Sequence, residues 1–202
     1  MSGPLYLAQP RYRPSNEQAI AHAERMDPMP LTYRMGTLAD AEALHALGLR
    51  SYGQYRSALT PANWEKFHAF MAAPDTYTQL IRTSTCFVCE RDTEIVGMAF
   101  LVPNGRPTDL FDAAWSYIRM LGVDPNFTGN GIAKRLTAMC INHAHRTGER
   151  YIALHTSEFM DAARHIYEGF GFKVVRGLER YDKQYWIYLL DLNTDTHDRV
   201  SH

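Results

Sequence analysis

Two glycines spaced two residues apart form a candidate anion site in this sequence. Gly129 and Gly131 lie in PNFTGNGIAKRL, directly before a run whose apolar residues recur at helical spacing. Glycine lets the backbone approach a ligand closely, and the free N–H groups of a helix N-terminus favour negative charge. We therefore expect this turn to bind a phosphate or pyrophosphate group.

The spacing of neighbouring residues separates the folds that use such a turn. A Walker-type phosphate loop needs Gly-Lys-Ser or Gly-Lys-Thr, and the sequence contains neither. A dinucleotide-binding fingerprint needs a third glycine where Lys134 stands, and an acidic ribose partner, for which Glu158 is a candidate. The turn lies beyond residue 120, which leaves little chain for a doubly wound sheet. An NAD(P)-binding oxidoreductase remains the alternative interpretation.

Hydrophobic periodicity predicts the elements that position this turn. Alternating or short apolar runs predict strands at residues 31–37, 86–90, 95–102, 113–123, 151–155, 172–175 and 184–192. Helical spacing predicts helices from residue 40, at 63–72, from 131 to a stop at Gly148, and at 159–168 with Ser157 as cap. The polar RDTE predicts a tight hairpin between the second and third strands. The order indicates an α/β fold with a mixed, mostly antiparallel sheet flanked by helices.

Length and composition predict one domain. The 202 residues fit a domain at 31–192 with an N-terminal extension at 1–30 and a tail at 193–202. The net charge of −1 argues against a nucleic-acid partner. No apolar run approaches the roughly 20 residues that span a bilayer, and the N-terminus lacks a signal-peptide pattern. We expect a soluble, cytoplasmic protein.

The cysteines and histidines give no metal pattern. Cys86 and Cys89 have CxxC spacing, but they lie in a predicted strand, where residues three apart point to opposite faces. With Cys140 they make an odd set of 3, and no HExxH accompanies the 9 histidines. Core packing is therefore the preferred interpretation of the cysteines, and no metal is expected.

Two sequence blocks resemble the GNAT superfamily, the Gcn5-related N-acetyltransferases. Thr128-Gly129-Asn130-Gly131-Ile132-Ala133 is similar to the family's acetyl-CoA motif, [RQ]xxGx[GA], with Thr128 in place of Arg or Gln. Residues 163–172, ARHIYEGFGF, resemble the family's AxxxYexxGF signature. Met160 departs from an Asn that often contacts pantetheine. The resemblance covers about residues 31–192, and over the first third only the order of the elements supports it.

The resemblance implies an N-acetyltransferase that uses acetyl-CoA as cosubstrate and transfers its acetyl group directly to an amine. It implies that the strand ending at Val123 parts from its neighbour and offers backbone groups to pantetheine and to the thioester oxygen. Tyr167 would protonate the departing thiolate. The cofactor-binding residues expected on this basis are Leu121, Gly122, Val123, Thr128, Gly129, Asn130, Gly131, Ile132, Ala133 and Lys134.

The acceptor side is less defined. Residues 115–119 hold no acid, so His155 and Glu158 are the candidates for the base that takes the amine proton. Asp109 and Asp112 could attract a cationic acceptor. The acceptor is a small-molecule or peptide amine, and both a homodimer and a non-catalytic acyl-CoA-binding module stay open. Aromatic residues fall in the segments that usually flank the acceptor groove: Tyr52, Tyr55, Trp64, Tyr181, Tyr185 and Trp186.

Overall fold

A computed structural model describes residues 30–73 and 75–193 of the chain. The predicted extension at 1–29 and the tail from 194 lie outside the described residues. Seven strands form one sheet in the order β1-β2-β3-β4-β5-β7-β6, and every neighbouring pair except β4 and β5 is antiparallel. The mixed, mostly antiparallel sheet is confirmed. The strands are β1 Thr32–Met35, β2 Thr85–Arg91, β3 Glu94–Val102, β4 Ser116–Val123, β5 Tyr151–Ser157, β6 Lys173–Arg180 and β7 Lys183–Asp191.

Five α-helices flank the sheet. They are α1 Ala41–Gly53, α2 Pro61–Ala72, α3 Thr76–Thr83, α4 Ile132–Arg146 and α5 Asp161–Gly169. The Thr60 hydroxyl accepts a hydrogen bond from the Asn63 N–H and caps α2, whose first residue is a proline. Helix α3 was not predicted, because its eight residues are mostly polar and only Tyr77 and Leu80 are buried.

Local turn chemistry explains two predictions that the structure confirms. Asp92 and Thr93 both have positive φ, at 51° and 73°, so the β2–β3 hairpin closes with a two-residue turn of the type that fits strand twist. Gly148 has a φ of 78°, and the Glu149 N–H bonds the Ala144 carbonyl, which ends α4 with a left-handed cap.

The boundaries around β4, β5 and α5 differ from the prediction. Strand β5 continues to Ser157, because Ser157 pairs with Tyr185 of β7, so Ser157 does not cap α5. Residues 113–115 form a turn around Asp112 rather than the start of β4. None of the described helices is both long and apolar enough to cross a membrane.

The sheet has a core on each face. Helices α4 and α5 cover one face, where Cys89, Leu136 and Tyr167 are buried. Helices α1 and α3 cover the other, where Leu47 and Cys86 are buried. Cys86 and Cys89 therefore point to opposite faces as predicted, and both thiols are free. Within the described part of the chain, no three His, Cys, Asp or Glu side chains come together as a metal site.

Candidate active site

Strands β4 and β5 part shortly after they meet. Their parallel pairing is limited to Ser116 with Ile152 and Tyr117 with Ala153, although β4 runs on to Val123. A bulge against β3 accompanies the separation, and Met120 there has a φ of 54°. The remaining length of β4 thus presents a backbone edge that β5 does not pair. Leu121, Gly122 and Val123 lie on this edge.

The turn after β4 presents consecutive free N–H groups. Gly129 and Gly131 have φ values of 81° and 73°, and the first hydrogen bond of α4 runs from the Arg135 N–H to the Gly131 carbonyl. The N–H groups of residues 129–131 make no hydrogen bond within the described residues, and those of 132–134 belong to the first helical turn, where none has an intrahelical partner. Six N–H groups therefore remain for an anion at the positive end of the helix dipole.

Side chains in this turn mostly support its shape. The Thr128 hydroxyl donates to the Pro125 carbonyl at 3.0 Å, and the Asn130 side-chain amide donates to the Phe127 carbonyl at the same distance. The Ile132 side chain is buried in the core, so only its backbone can reach a ligand. Lys134 is exposed and is the one cationic side chain among the predicted cofactor-binding residues.

An ion pair between buried Asp124 and partly exposed Arg50 lies at the start of the turn. Asp124 is 3% exposed, and its carboxylate accepts from the Arg50 Nε at 2.8 Å and from the Asn126 N–H at 2.9 Å. The Asp124 N–H bonds the Val96 carbonyl. The sequence analysis missed Arg50 and Asp124, and the only sequence signal for them was the helix-start position of Asp124-Pro125.

Tyr167 lies on α5 and is 5% exposed. Burial raises the pKa of its hydroxyl, and Tyr55 and Cys140 add to the increase. Its ring packs near Phe172 and Tyr188, at centroid distances of 6.0 and 6.4 Å. Tyr167 belongs to the core between α4 and the sheet, whereas Tyr55, which contributes to its raised pKa, follows α1 on the other face.

His155 and Glu158, the two candidate bases, have different surroundings. Burial, with Arg180 and Arg119, lowers the pKa of His155 to about 4. Its Nδ1 is buried without a partner, and its ring lies 5.9 Å from Phe111. Glu158 is exposed beyond the end of β5 and pairs with the Lys183 amine at 3.3 Å. His155 therefore lies on the strand that borders the gap, whereas Glu158 lies beyond the end of that strand and pairs with Lys183.

A closed series of aromatic contacts lies on the α1 side of the sheet. Neighbouring ring centroids are 5.3 to 6.4 Å apart, and His155 lies 6.2 Å from one member, Tyr185. We call these six residues the aromatic set; in order of contact they are Tyr52, Tyr55, Phe159, Tyr185, Tyr181 and Phe67. Of the other predicted aromatic residues, Trp64 packs against Phe67 from outside, and Trp186 lies on the α4 side beneath Arg164.

Asp109 and Asp112 line a separate cleft of about 370 Å³. The cleft lies between the loop before β4 and the edge strand β6, with Trp115 and Arg176 among its lining residues. Asp112 stabilises the local turn by accepting from the Ala114 N–H. The two acids therefore line the cleft beside β6, and Asp109 also acts electrostatically on His155.

Comparisons with known proteins agree with this geometry. A model of the Acetyltransferase (GNAT) family matches residues 54–172. N-alpha-acetyltransferase 30 of Saccharomyces cerevisiae is 38% identical over 65 residues, which is 32% of this chain and 37% of that protein. The chain thus spans little more than a third of this curated relative.

Solved structures of low identity share the fold. An N-acetyltransferase from Staphylococcus aureus Mu50 has a TM-score of 0.62 and 20% identity, over 81% of this chain and 99% of that one. The PaiA N-acetyltransferase from Thermoplasma acidophilum, in complex with coenzyme A, has a TM-score of 0.65 and 16% identity over the same shares of 81% and 99%. At these identities the likeness shows the fold alone. A doubly wound parallel sheet, which the dinucleotide-binding alternative requires, is absent from the described residues.

Proposed function

Because the chain belongs to the acetyltransferase (GNAT) family, for which acetyl-CoA is the cosubstrate, we propose that it transfers the acetyl group of acetyl-CoA to an amine. The observation that carries the proposal is the adjacency of two features. The parted edge of β4 leads directly into the turn whose six N–H groups are free. An open strand edge suits the amide groups of a pantetheine arm, and the turn suits the pyrophosphate at its end.

Each predicted cofactor-binding residue except Thr128, whose hydroxyl donates to the Pro125 carbonyl within the turn, has a proposed part in binding. Backbone N–H groups from Gly129 to Lys134 hold the pyrophosphate, and the Lys134 amine adds a positive charge at its edge. Leu121, Gly122 and Val123 orient the arm through backbone hydrogen bonds. A β4 N–H in this stretch stabilises the negative charge that develops on the thioester oxygen.

Two residues, Tyr167 and His155, carry out the two proton transfers of the proposed reaction. Acetyl-CoA supplies the thioester whose acyl group the amine takes, with coenzyme A released as the thiol. Tyr167 donates its hydroxyl proton to sulfur as the carbon–sulfur bond breaks, and recovers a proton from solvent. Its raised pKa keeps the hydroxyl protonated across the physiological range. His155 takes the proton that the amine nitrogen loses as it bonds to the carbonyl carbon, because its imidazole is neutral and its Nδ1 is unpartnered.

Thermal unfolding with different ligands tests the cosubstrate. Acetyl-CoA at about 100 times its Kd should add roughly 2.7 kcal/mol of stability, a shift of several degrees, whereas NADH and NADPH should add none. Stabilisation by a dinucleotide alone would overturn the proposal.

Replacing Tyr167 by Phe tests the acid. We expect kcat for acetyl transfer to an amine to fall by about 10²-fold or more, with the Kd for acetyl-CoA within a factor of about three of wild type. Tyr151→Phe, at the distant start of β5, is the matched control and should keep full activity. An undiminished kcat in Tyr167→Phe across pH would remove Tyr167 from the mechanism. Binding of acetyl-CoA without acetyl transfer to any amine by the wild type would instead favour a non-catalytic acyl-CoA-binding module.

A further inference from the structure

Three buried polar atoms on one side of the sheet have no hydrogen-bond partner in the described structure. They are His155 Nδ1, Ser157 Oγ and the Tyr185 hydroxyl. Ser157 lies two residues after His155 on β5, and Tyr185 is directly opposite Ser157 on β7, so the three side chains share a face. Ser157 is 0% exposed and Tyr185 3%. The two hydroxyls lie close to each other, but not in hydrogen-bonding geometry.

This cluster borders the point where β4 and β5 part. Tyr117 and Ala153 form the last β4–β5 pair, and Arg119 and His155 each follow two residues later. Since alternate residues of a strand share a face, Arg119 and His155 lie on the two sides of the opening, on the face of the sheet that carries the aromatic set. An amine that enters from this face meets both side chains first.

Two arginines near the cluster have no acidic partner. The Arg119 guanidinium lies 4.5 Å from the Phe70 ring, and the Arg180 guanidinium 5.1 Å from the Tyr181 ring. Neither forms an ion pair or hydrogen bond with a carboxylate in residues 30–73 or 75–193. Both act on His155, since they contribute to its lowered pKa.

The carboxylates near this cluster either interact with another side chain or are exposed. Glu158 pairs with Lys183, and Asp182 accepts from the Asn63 side chain at 2.7 Å. Asp109, which acts on His155 in the opposite sense to the arginines, is exposed in the loop before β4. Of the charged side chains that act on His155, the two arginines outnumber Asp109, and together with the hydroxyl donors they suit an anionic, hydrogen-bond-accepting group.

We propose that the acceptor is an amino carboxylate, whose amine reaches the opening beside His155 while its carboxylate is held by Arg119, Arg180 and the hydroxyls of Ser157 and Tyr185. The inference rests on the proposed acetyl transfer and names its substrate class. His155 and Ser157 are about 7 Å apart along the strand, so the amine and the carboxylate are several bonds apart rather than on one carbon. Burial is the larger cause of the lowered pKa of His155, and a carboxylate in this place offsets the contribution of the two cations.

The experiment compares acceptors that differ only in the carboxylate. With acetyl-CoA as donor, kcat/KM is measured for ω-amino acids from β-alanine to 6-aminohexanoate and for n-alkylamines of the same carbon number. A second arm compares tripeptides with Asp or Glu at position two against the same peptides with Asn or Gln. We expect the carboxylate to raise kcat/KM by about tenfold or more in one arm, and the arm that responds identifies the source of the carboxylate.

Variants connect that preference to the arginines. Arg119→Gln and Arg180→Gln should each reduce the ratio of kcat/KM, acid over neutral acceptor, by about tenfold, whereas Arg146→Gln, an exposed arginine on α4, should leave the ratio unchanged. Thermal stabilisation by the same acceptors in the presence of coenzyme A is measured in parallel, so that binding preference is tested even without turnover. If neutral amines are acetylated or bound as well as their acidic counterparts, the inference is wrong while the acetyltransferase proposal stands. If acetyl-CoA itself does not bind, the proposed acetyltransferase function is wrong, and this result is distinct from the loss of an acceptor preference.

Discussion

The Tyr52 hydroxyl donates a 3.0 Å hydrogen bond to the Leu121 carbonyl and so joins the end of α1 to the parted edge of β4. Two neighbouring contacts strengthen this link. Arg50 pairs with Asp124, and Gly122 lies so close to α1 that a Cβ there would be 2.6 Å from the Ser51 Oγ. Because α1 leads into the aromatic set, that set and the parted edge of β4 form one connected unit.

The Tyr52–Leu121 bond should contribute measurably to stability. Tyr52→Phe removes the donor and should lower the free energy of unfolding by about 1 kcal/mol, since the carbonyl then lacks its partner. Chemical denaturation measures the change. Tyr55→Phe is the matched control, because the Tyr55 hydroxyl makes no hydrogen bond within the described residues, and it should change stability by less than about 0.5 kcal/mol. Equal losses in both variants would show that the bond itself contributes little.

Glycine should be required at position 131 because of its backbone conformation, and not because a larger side chain would clash with its neighbours. A Cβ at Gly131 meets nothing within 4 Å, but its φ is 73°. Gly131→Ala should therefore lower the free energy of unfolding by about 1 kcal/mol or more and weaken acetyl-CoA binding, which calorimetry measures. Gly53 at the end of α1 has equal space without a positive φ, so Gly53→Ala should stabilise by about 0.4 to 1 kcal/mol. Tolerance of alanine at both positions would refute the conformational argument.

Sequence reasoning located the glycine turn because it depends on local chemistry. Two glycines before a helical apolar period specify free N–H groups whatever the tertiary context, and Gly129 and Gly131 do have left-handed φ. The hairpin at Asp92 and the cap at Gly148 were predictable for the same reason. The GNAT resemblance supplied the expectation that the strand ending at Val123 parts from its neighbour, which no local signal contains.

Long-range pairs could not be predicted in this way. Arg50 and Asp124 are 74 residues apart, and Tyr52 and Leu121 are 69 apart, so no local period relates them. The position of Glu158 beyond the end of β5 depends on the length of that strand, which the pairing of Ser157 with Tyr185 sets. Phe67 and Phe159 belong to the aromatic set only because α2 and the segment before α5 pack beside its other members.

The Asp124 carboxylate should be a positioning group for the turn. Asp124→Asn removes the charge from a carboxylate that is only 4% exposed, while Arg50 stays 42% exposed and keeps Glu94 as a partner, so the free energy of unfolding should fall by about 1.5 kcal/mol. The Kd for acetyl-CoA should rise as well, because Asp124 also orients the turn through the Asn126 N–H. Glu94→Gln removes the other partner of Arg50, whose side chain is 62% exposed, and should cost less than about 0.5 kcal/mol. A Kd unchanged in Asp124→Asn would mean that the turn keeps its shape without this carboxylate.

His155 should make the protein less stable in mild acid. The fold lowers its pKa from 6.5 to about 4, chiefly by burial, so between these values the unfolded chain binds the proton and the native state does not. Stability is therefore complete above pH 6.5 and declines as the pH falls towards 4, with a slope of up to about 1.4 kcal/mol per pH unit from this one group. His155→Gln should flatten the pH dependence of the unfolding midpoint in this window, whereas His145→Gln, on the exposed side of α4, should not. The same variant also tests the proposed role of His155 as base, because it should lower kcat at pH 8, where protonation of His155 does not affect the stability of the wild type. A wild-type midpoint that stays flat from pH 6.5 to 4 would place His155 in contact with water and remove the basis for its lowered pKa.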